Sequence, residues 1–284
     1  MFQRTLAGIA SCSGIGLHSG KRVHITIKPA PANHGIRFVR KDLPDSPTIL
    51  AHLKYVVDTS QATVIGNNGV IISTIEHLMA TFAGLCVDNA LVELDSYEVP
   101  IMDGSAEPFT GLLKRTGITA QNAHRYHFKV KKPVEVSEDG RSVSIYPSDQ
   151  LRISCTIDFD HPLLRNQSLA VSVTEEVFEK EVSPARTFGF FHELDYLKKF
   201  GFAKGGSLEN ALVLGSDGIL NENGLRFENE FVRHKILDCL GDLSLLGIPI
   251  LGHIVTYKSG HTFNHAFLKT FFTSRDCWDT VSCA

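Results

Sequence analysis

Apolar and polar residues alternate with a period of two in several short stretches of the first half of the chain, at 23–27, 36–39, 63–65, 70–72 and 90–94. That period lines one face of a sheet, so each stretch reads as a strand. Two helical stretches accompany them. One starts near Ser73, where Ser73 and Glu76 match the S-x-x-E capping box, and runs to a stop at Gly84; the other spans about 107–115. A polar bridge at 119–124 follows, and then a comparable order recurs: strands at 128–130, 134–136, 142–146, 152–158 and 169–173, with helices near 231–246 and 262–272. The pattern predicts an α+β protein of two similar domains, residues 1–122 and 123–284, the second carrying an extra apolar, Gly-containing segment near 190–214 that reads as a helix followed by a strand.

The helical period also sorts side chains by face. At about 100° per residue, Ile75, Leu78, Met79 and Phe82 form one apolar stripe and His77 projects roughly opposite it. On the helix near 231–246, Val232, Ile236, Cys239, Leu240 and Leu243 form the buried face, while His234, Asp238 and Asp242 stack at intervals of four on the other. Each observation has a bland alternative: Glu76 as a helix cap, His77 as a surface histidine, the His/Asp stripe as a solvated face. Taken together, His77, His234 and Asp238 match the three N or O ligands with which a catalytic zinc ion is commonly held, leaving a position for water whose pKa the ion lowers. Glu76, beside one of these ligands, is placed to take a proton from that water. His261, at the start of the last helix after a Gly turn, is a candidate proton donor to a leaving nitrogen, with Asp242 to orient it. The chain is expected to be a metallohydrolase.

Two other clusters carry less. Asp158, Asp160 and His161 alternate across a strand that ends at Pro162, which disfavours a shared ion. The run from Gly14 to Gly20 lacks a nucleotide-binding glycine pattern and reads as a tight turn within reach of the site.

Composition narrows the class. A hydrophobic content of 43% with 21% charged residues is that of a globular chain, and no stretch approaches the roughly 18 to 20 apolar residues of a membrane helix. The start of the chain has no signal-peptide core. Six cysteines show no C-x-x-C spacing, so neither a thiolate metal site nor a disulfide framework is written. A reducing cytoplasm fits. A net charge of -3 gives no footprint for nucleic acid, and a monomer is expected, since no exposed apolar repeat argues for assembly.

Several blocks, in order, resemble one family: Gly14 to Gly20, Ser73 to Leu78, Val99 to Ser105, Ser183 to Phe188, Gly224 to Glu230, Val232 to Lys235 and Lys258 to His261. The chain resembles the UDP-3-O-acyl-N-acetylglucosamine deacetylases, zinc enzymes of lipid A biosynthesis, over nearly its whole length. The resemblance implies two α+β domains whose helices face one another around the active site. It implies Zn²⁺ on His77, His234 and Asp238, Glu76 as general base, His261 as general acid assisted by Asp242, and Thr187 as a hydroxyl donor to the oxyanion. Lys235 is implied for the substrate phosphates and Phe188 for the sugar. Phe191, Leu194, Ala203, Leu208 and Val213 of the insert are implied to line a passage for the acyl chain, with ordinary core packing as the alternative for each. The implied reaction is hydrolysis of the 2-acetamido group of UDP-3-O-acyl-GlcNAc to acetate and the free amine. One departure is visible: where some members carry a Cys after an Asp-Thr-Ser stretch, this chain has Asp58-Thr59-Ser60-Gln61-Ala62, with no thiol. The rival readings are a zinc amidohydrolase acting on another acylated amino sugar and a non-enzymatic binding module with a structural metal.

Overall fold

In the strand Arg22–Pro29 the residues Val23, Ile25 and Ile27 are buried while their neighbours reach solvent, the alternation expected of a sheet with one face on a core. A computed structural model describes residues 1–282, and its first repeat is built around this strand. Five strands, β1 (Ala10–Ile15), β2 (Arg22–Pro29), β3 (Ile36–Arg40), β4 (Thr48–Leu50) and β5 (Ala90–Leu94), form a sheet in the order β1-β2-β5-β3-β4. Only the β3–β5 pair is parallel. A second sheet contains β6 (Val134–Glu138), β7 (Arg141–Tyr146), β8 (Arg152–Ile157), β9 (Gln167–Ser172) and β10 (His253–Tyr257). Its order is β6-β7-β10-β8-β9, again with one parallel pair, β8–β10.

The two sheets therefore have the same topology, and the helices keep step with it. The helix α1 (Glu76–Gly84) precedes β5 and α2 (Glu107–Thr116) follows it, just as α3 (Glu230–Leu243) precedes β10 and α4 (His261–Thr273) follows it. The sequence shows this recurrence only as an order of elements; the strand pairings make it a shared fold. Helix α3 packs on β8 and β9, α4 on β6 and β7, and α1 lies along α3, so the helices of the two repeats meet between the sheets. This is the two-domain α+β architecture expected of the chain.

Helix α1 meets α3 closely at one point. A Cβ on Gly241 would lie 2.2 Å from the carbonyl oxygen of Glu76, a separation no side chain tolerates, so the absence of one sets how near the two backbones approach.

Two expectations about local structure need correction. The polar bridge at 119–124 is not a linker: it belongs to a strand, Ile118–His124, paired antiparallel with Phe2–Leu6. Its polarity reflects a two-stranded ribbon with most residues exposed. The capping box at Ser73 is also absent. Helix α1 begins at Glu76 without a side-chain cap; Ser73 Oγ is 3.3 Å from Thr74 Oγ1, and the Glu76 carboxylate instead accepts from the Thr63 amide at 3.0 Å. The segment near 190–214 does contain a helix, Leu194–Lys199, followed by a strand, Leu212–Leu214, which pairs with Phe188–Phe190. The five described cysteines are free thiols, and Cys283 lies outside the described residues. None of the described helices is long and apolar enough to cross a membrane.

Candidate active site

The stripes that phasing placed opposite the apolar faces of α1 and α3 do not face solvent. Because α1 and α3 pack on one another, both faces are covered, and His77, His234, Asp238 and Asp242 are between 2 and 4% exposed. The solvated-face reading of the His/Asp stripe is thereby removed. Such a concentration of buried polar groups is tolerated only where each finds a partner.

His77 Nε2 and His234 Nε2 lie 3.6 and 3.4 Å from the same oxygen, Oδ1 of Asp238, and the two imidazoles stand edge to face with centroids 4.9 Å apart. The three side chains offer ligand atoms all within 4.8 Å of one another. His234 Nδ1–H donates to the Ala185 carbonyl at 3.0 Å, which leaves Nε2 as a lone pair turned towards the cluster. Burial pushes the His234 pKa down to about 3 against the pull of Asp238, so the ring is neutral. Burial opposes the charge of Asp238, yet the Lys235 ammonium, 2.7 Å from its Oδ2, helps hold its pKa well below the usual carboxylate range. Asp238 Oδ1 is buried and accepts no hydrogen bond among the described residues. An ionised oxygen left so, with two imidazole nitrogens beside it, fits a divalent cation: the donor set is the N₂O set that suits zinc or iron.

Two further groups flank the cluster. Glu76 is fully buried, and burial raises its carboxyl pKa above the ordinary value. His261 Nε2 lies 3.9 Å from Glu76 Oε1 and 4.0 Å from Asp238 Oδ2. The ring is largely buried although it follows a Gly turn, its side chain only 12% accessible. Its Nδ1 bonds Asp242 Oδ2 at 2.9 Å, and Asp242 is in turn held by Thr63 Oγ1 at 2.6 Å and Asn264 Nδ2 at 2.8 Å. Burial disfavours the imidazolium, but Asp242 outweighs it and the His261 pKa is pushed up to about 10.

These groups open onto one cavity of ≈ 350 Å³, also lined by Thr187, Phe188, Lys235, Thr59, Ser60 and Gln61. No thiol stands at this wall among the described residues. The run from Gly14 to Gly20 does reach it, through Leu17 and His18. Glu98, 1% exposed, fixes that loop by accepting from the amides of His18 and Ser19, each at 2.8 Å, and from Thr74 Oγ1 at 3.1 Å. Thr74 itself has φ +58° immediately before α1, a conformation costly for a β-branched residue and of the kind that collects at functional sites.

Of the residues expected from sequence, His77, His234, Asp238, Glu76, His261, Thr187, Phe188 and Lys235 meet at the cavity, and Asp242 lies behind His261. The five insert residues do not line it. Phe191 and Leu208 are exposed, Leu194 is partly buried, and Ala203 and Val213 are buried. The insert nonetheless packs on the cavity's loop, where Ala203 N–H donates to His18 Nδ1 at 3.4 Å and Gly205 N–H to the Leu17 carbonyl at 3.0 Å. Sequence reasoning missed Thr63, Glu98, Asn264 and Arg141, a cation at the cavity wall. The pair Asp158 and His161 is elsewhere engaged: His161 Nε2 bonds the Gly215 carbonyl at 3.0 Å, and Asp158 pairs with Lys258 at 2.6 Å.

Comparison with known proteins decides the family. The family model described as LpxC, UDP-3-O-acyl N-acetylglycosamine deacetylase, matches residues 3–273. The chain belongs to this deacetylase family. It is 50% identical over 279 residues to the UDP-3-O-acyl-N-acetylglucosamine deacetylase of Myxococcus xanthus, a match covering 98% of this chain and 89% of that protein. It is 47% identical to proteins of the same name from Syntrophus aciditrophicus, over 99% of this chain and 89% of that one, and from Saccharophagus degradans, over 99% and 93%. Membership of a deacetylase family makes the chain an enzyme of the hydrolase class, and its His-His-Asp cluster is one that could hold a metal ion.

Proposed function

We propose that this protein hydrolyses the 2-acetamido group of UDP-3-O-acyl-N-acetylglucosamine, releasing acetate and the free amine for lipid A biosynthesis, with Zn²⁺ on His77, His234 and Asp238. The observation that carries the reading is the convergence, from two repeats, of a His-His-Asp donor set with a carboxylate on one side and an Asp-supported imidazole on the other. Zinc bound there supplies a Lewis acid that acidifies water and polarises an amide carbonyl. The chain's own groups move the protons. Glu76 accepts one from the attacking water, which its raised basicity favours. Thr187 offers a hydroxyl to the oxyanion that forms on the amide oxygen. His261, kept protonated by Asp242, delivers a proton to the departing nitrogen so that an amine leaves rather than an amide anion.

Phe188, whose ring lies 6.3 Å from that of His234, is assigned to the sugar. Lys235 is assigned to the phosphates, and Arg141 joins it, because Lys235 also holds Asp238 while Arg141 has no ion-pair partner among the described residues. The acyl passage is assigned to Phe191, Leu194, Ala203, Leu208 and Val213, on the segment that packs against the cavity loop. A monomer acting in the cytoplasm, with its repeats divided near residue 122, completes the proposal.

The test is acetate release by purified protein of known metal content, from UDP-GlcNAc with and without the 3-O-acyl chain. Rapid release from the acylated sugar only, with about one zinc per chain, is expected. Equal rates on both would defeat the passage and favour an amidohydrolase of other acylated amino sugars; no release from either would defeat the enzymatic reading.

A further inference from the structure

The carbonyl that orients His234 is held on both sides. Ala185 lies in the segment 183–187, and its oxygen is the one that receives His234 Nδ1–H. On one flank, the Pro184 carbonyl accepts from Arg226 Nη1 at 2.8 Å. On the other, Arg186 makes a buried bidentate pair with Glu230, at 2.8 and 3.1 Å, and its amide donates to the same carboxylate at 3.0 Å. Glu230 is wholly buried and stands four residues, one turn, before His234 on α3. Its second oxygen accepts from the Arg226 amide at 2.6 Å. Arg226 then reaches across to the first repeat, with Nη2 2.7 Å from Asp103 Oδ2 and Nη1 3.3 Å from Ser105 Oγ. Next to that contact, Thr187 N–H donates to the Gly104 carbonyl at 2.8 Å.

We infer that Arg226, acting with Glu230 and Arg186, is a positioning residue for the metal centre: it fixes the Ala185 carbonyl and through it the tautomer and tilt of His234. This rests on the metal-binding reading above. An imidazole has two neutral tautomers of similar energy, and only a well-placed acceptor at Nδ1 commits the lone pair to Nε2. The carbonyl is part of a segment with no long helix or strand of its own, between the turn ending at Val182 and the short strand Phe188–Phe190. Side-chain clamps must therefore supply the rigidity that secondary structure supplies elsewhere. Arg suits the task because its planar fork can hold a carboxylate and a carbonyl at once, each in fixed direction. Partners of this kind behind a metal-bound histidine typically change metal affinity by about 10- to 100-fold when removed.

The experiment compares the full-length protein with Arg226→Met, which keeps the main-chain amide bond to Glu230 and removes the guanidinium's bonds to Pro184, Asp103 and Ser105, and with Glu107→Gln, an exposed neighbour 3.5 Å from the same guanidinium, as control. Zinc affinity is measured by chelator competition, and the ¹⁵N shifts of the His234 ring report its tautomer in metal-free protein. Arg226→Met is expected to weaken zinc binding by about 10-fold and to show a mixture of His234 tautomers, with Glu107→Gln like the parent. Zinc affinity within twofold of the parent and an unchanged tautomer would overturn the inference while leaving the metal site intact. If Arg226→Met fails to fold, Asp103→Asn, which weakens only the far anchor of the fork, replaces it under the same criteria. A parent protein that binds no zinc, or whose affinity is unchanged in His234→Ala, would instead sink the underlying reading of the site.

Discussion

At the scale of single residues, Glu76 and His234 occupy the same cavity but hold different tasks, and substitution separates them. Glu76→Ala removes a proton acceptor without removing a ligand, so metal content should stay near one per chain while kcat falls by about 10²- to 10⁴-fold. His234→Ala should lose metal and turnover together. Metal analysis beside acetate release reads both outcomes, and full zinc occupancy in His234→Ala would refute the ligand assignment. The proton donor gives a second prediction. The proposed mechanism needs Glu76 ionised and His261 protonated, so kcat/KM against pH should be bell-shaped, its acid limb set by Glu76 and its alkaline limb by His261. Asp242 stabilises the imidazolium at 2.9 Å; in Asp242→Asn the His261 pKa must fall, and the alkaline limb should move to lower pH while the acid limb stays. An alkaline limb that does not move would show that another group sets it. His234, Asp238 and Asp242 were legible in sequence because helical spacing stacks them on one face of α3, and Glu76 was legible as the carboxylate beside His77. Thr63 was not, since it contacts Asp242 from 179 positions away, and nothing in a Thr at a strand start announces such a partner. Glu98 was hidden for the same reason: its partners are backbone amides, which every residue carries.

At the scale of elements, the strongly periodic pieces were legible and the polar ones were not. Strands 70–72 and 90–94 stand where alternation put them, whereas Ala10–Ile15 and Ile118–His124 are exposed edges and ribbons whose composition resembles loop. Phasing gave the right faces for α1 and α3 but the wrong environment, because periodicity cannot show that a second helix covers the polar side. What brings the helices together is Gly241. An Ala there gains about 1 kcal/mol of helix propensity, but its methyl would sit 2.2 Å from the Glu76 carbonyl oxygen, and main chain cannot rotate aside. Overpacking of this kind costs about 1–3 kcal/mol, so Gly241→Ala should lower Tm and, by spreading the ligands, lower metal occupancy. Unchanged values of both would show that the crossing has slack. The loop beneath Glu98 permits a milder test. Glu98→Gln retains one acceptor oxygen and should speed hydrogen exchange at the His18 and Ser19 amides with little change in Tm.

At the scale of the whole molecule, the two repeats share a topology but not their chemistry. The first supplies Glu76 and His77, the second His234, Asp238 and His261, and neither repeat holds a complete donor set. A ligand that binds only the assembled form adds RT ln(1 + [L]/Kd) to its stability, about 4 kcal/mol at a thousandfold excess over Kd. Here the assembled form means the two halves docked. The ion's affinity and the adhesion of one half to the other are then a single free energy read in two ways. Chelation should accordingly raise hydrogen exchange on the facing turns of α1 and α3 more than at the outer strands β4 and β9. On the proposed zinc reading, a cell short of zinc would hold this protein not simply idle but loosened along its internal seam, and so more open to proteolysis there than in its sheets.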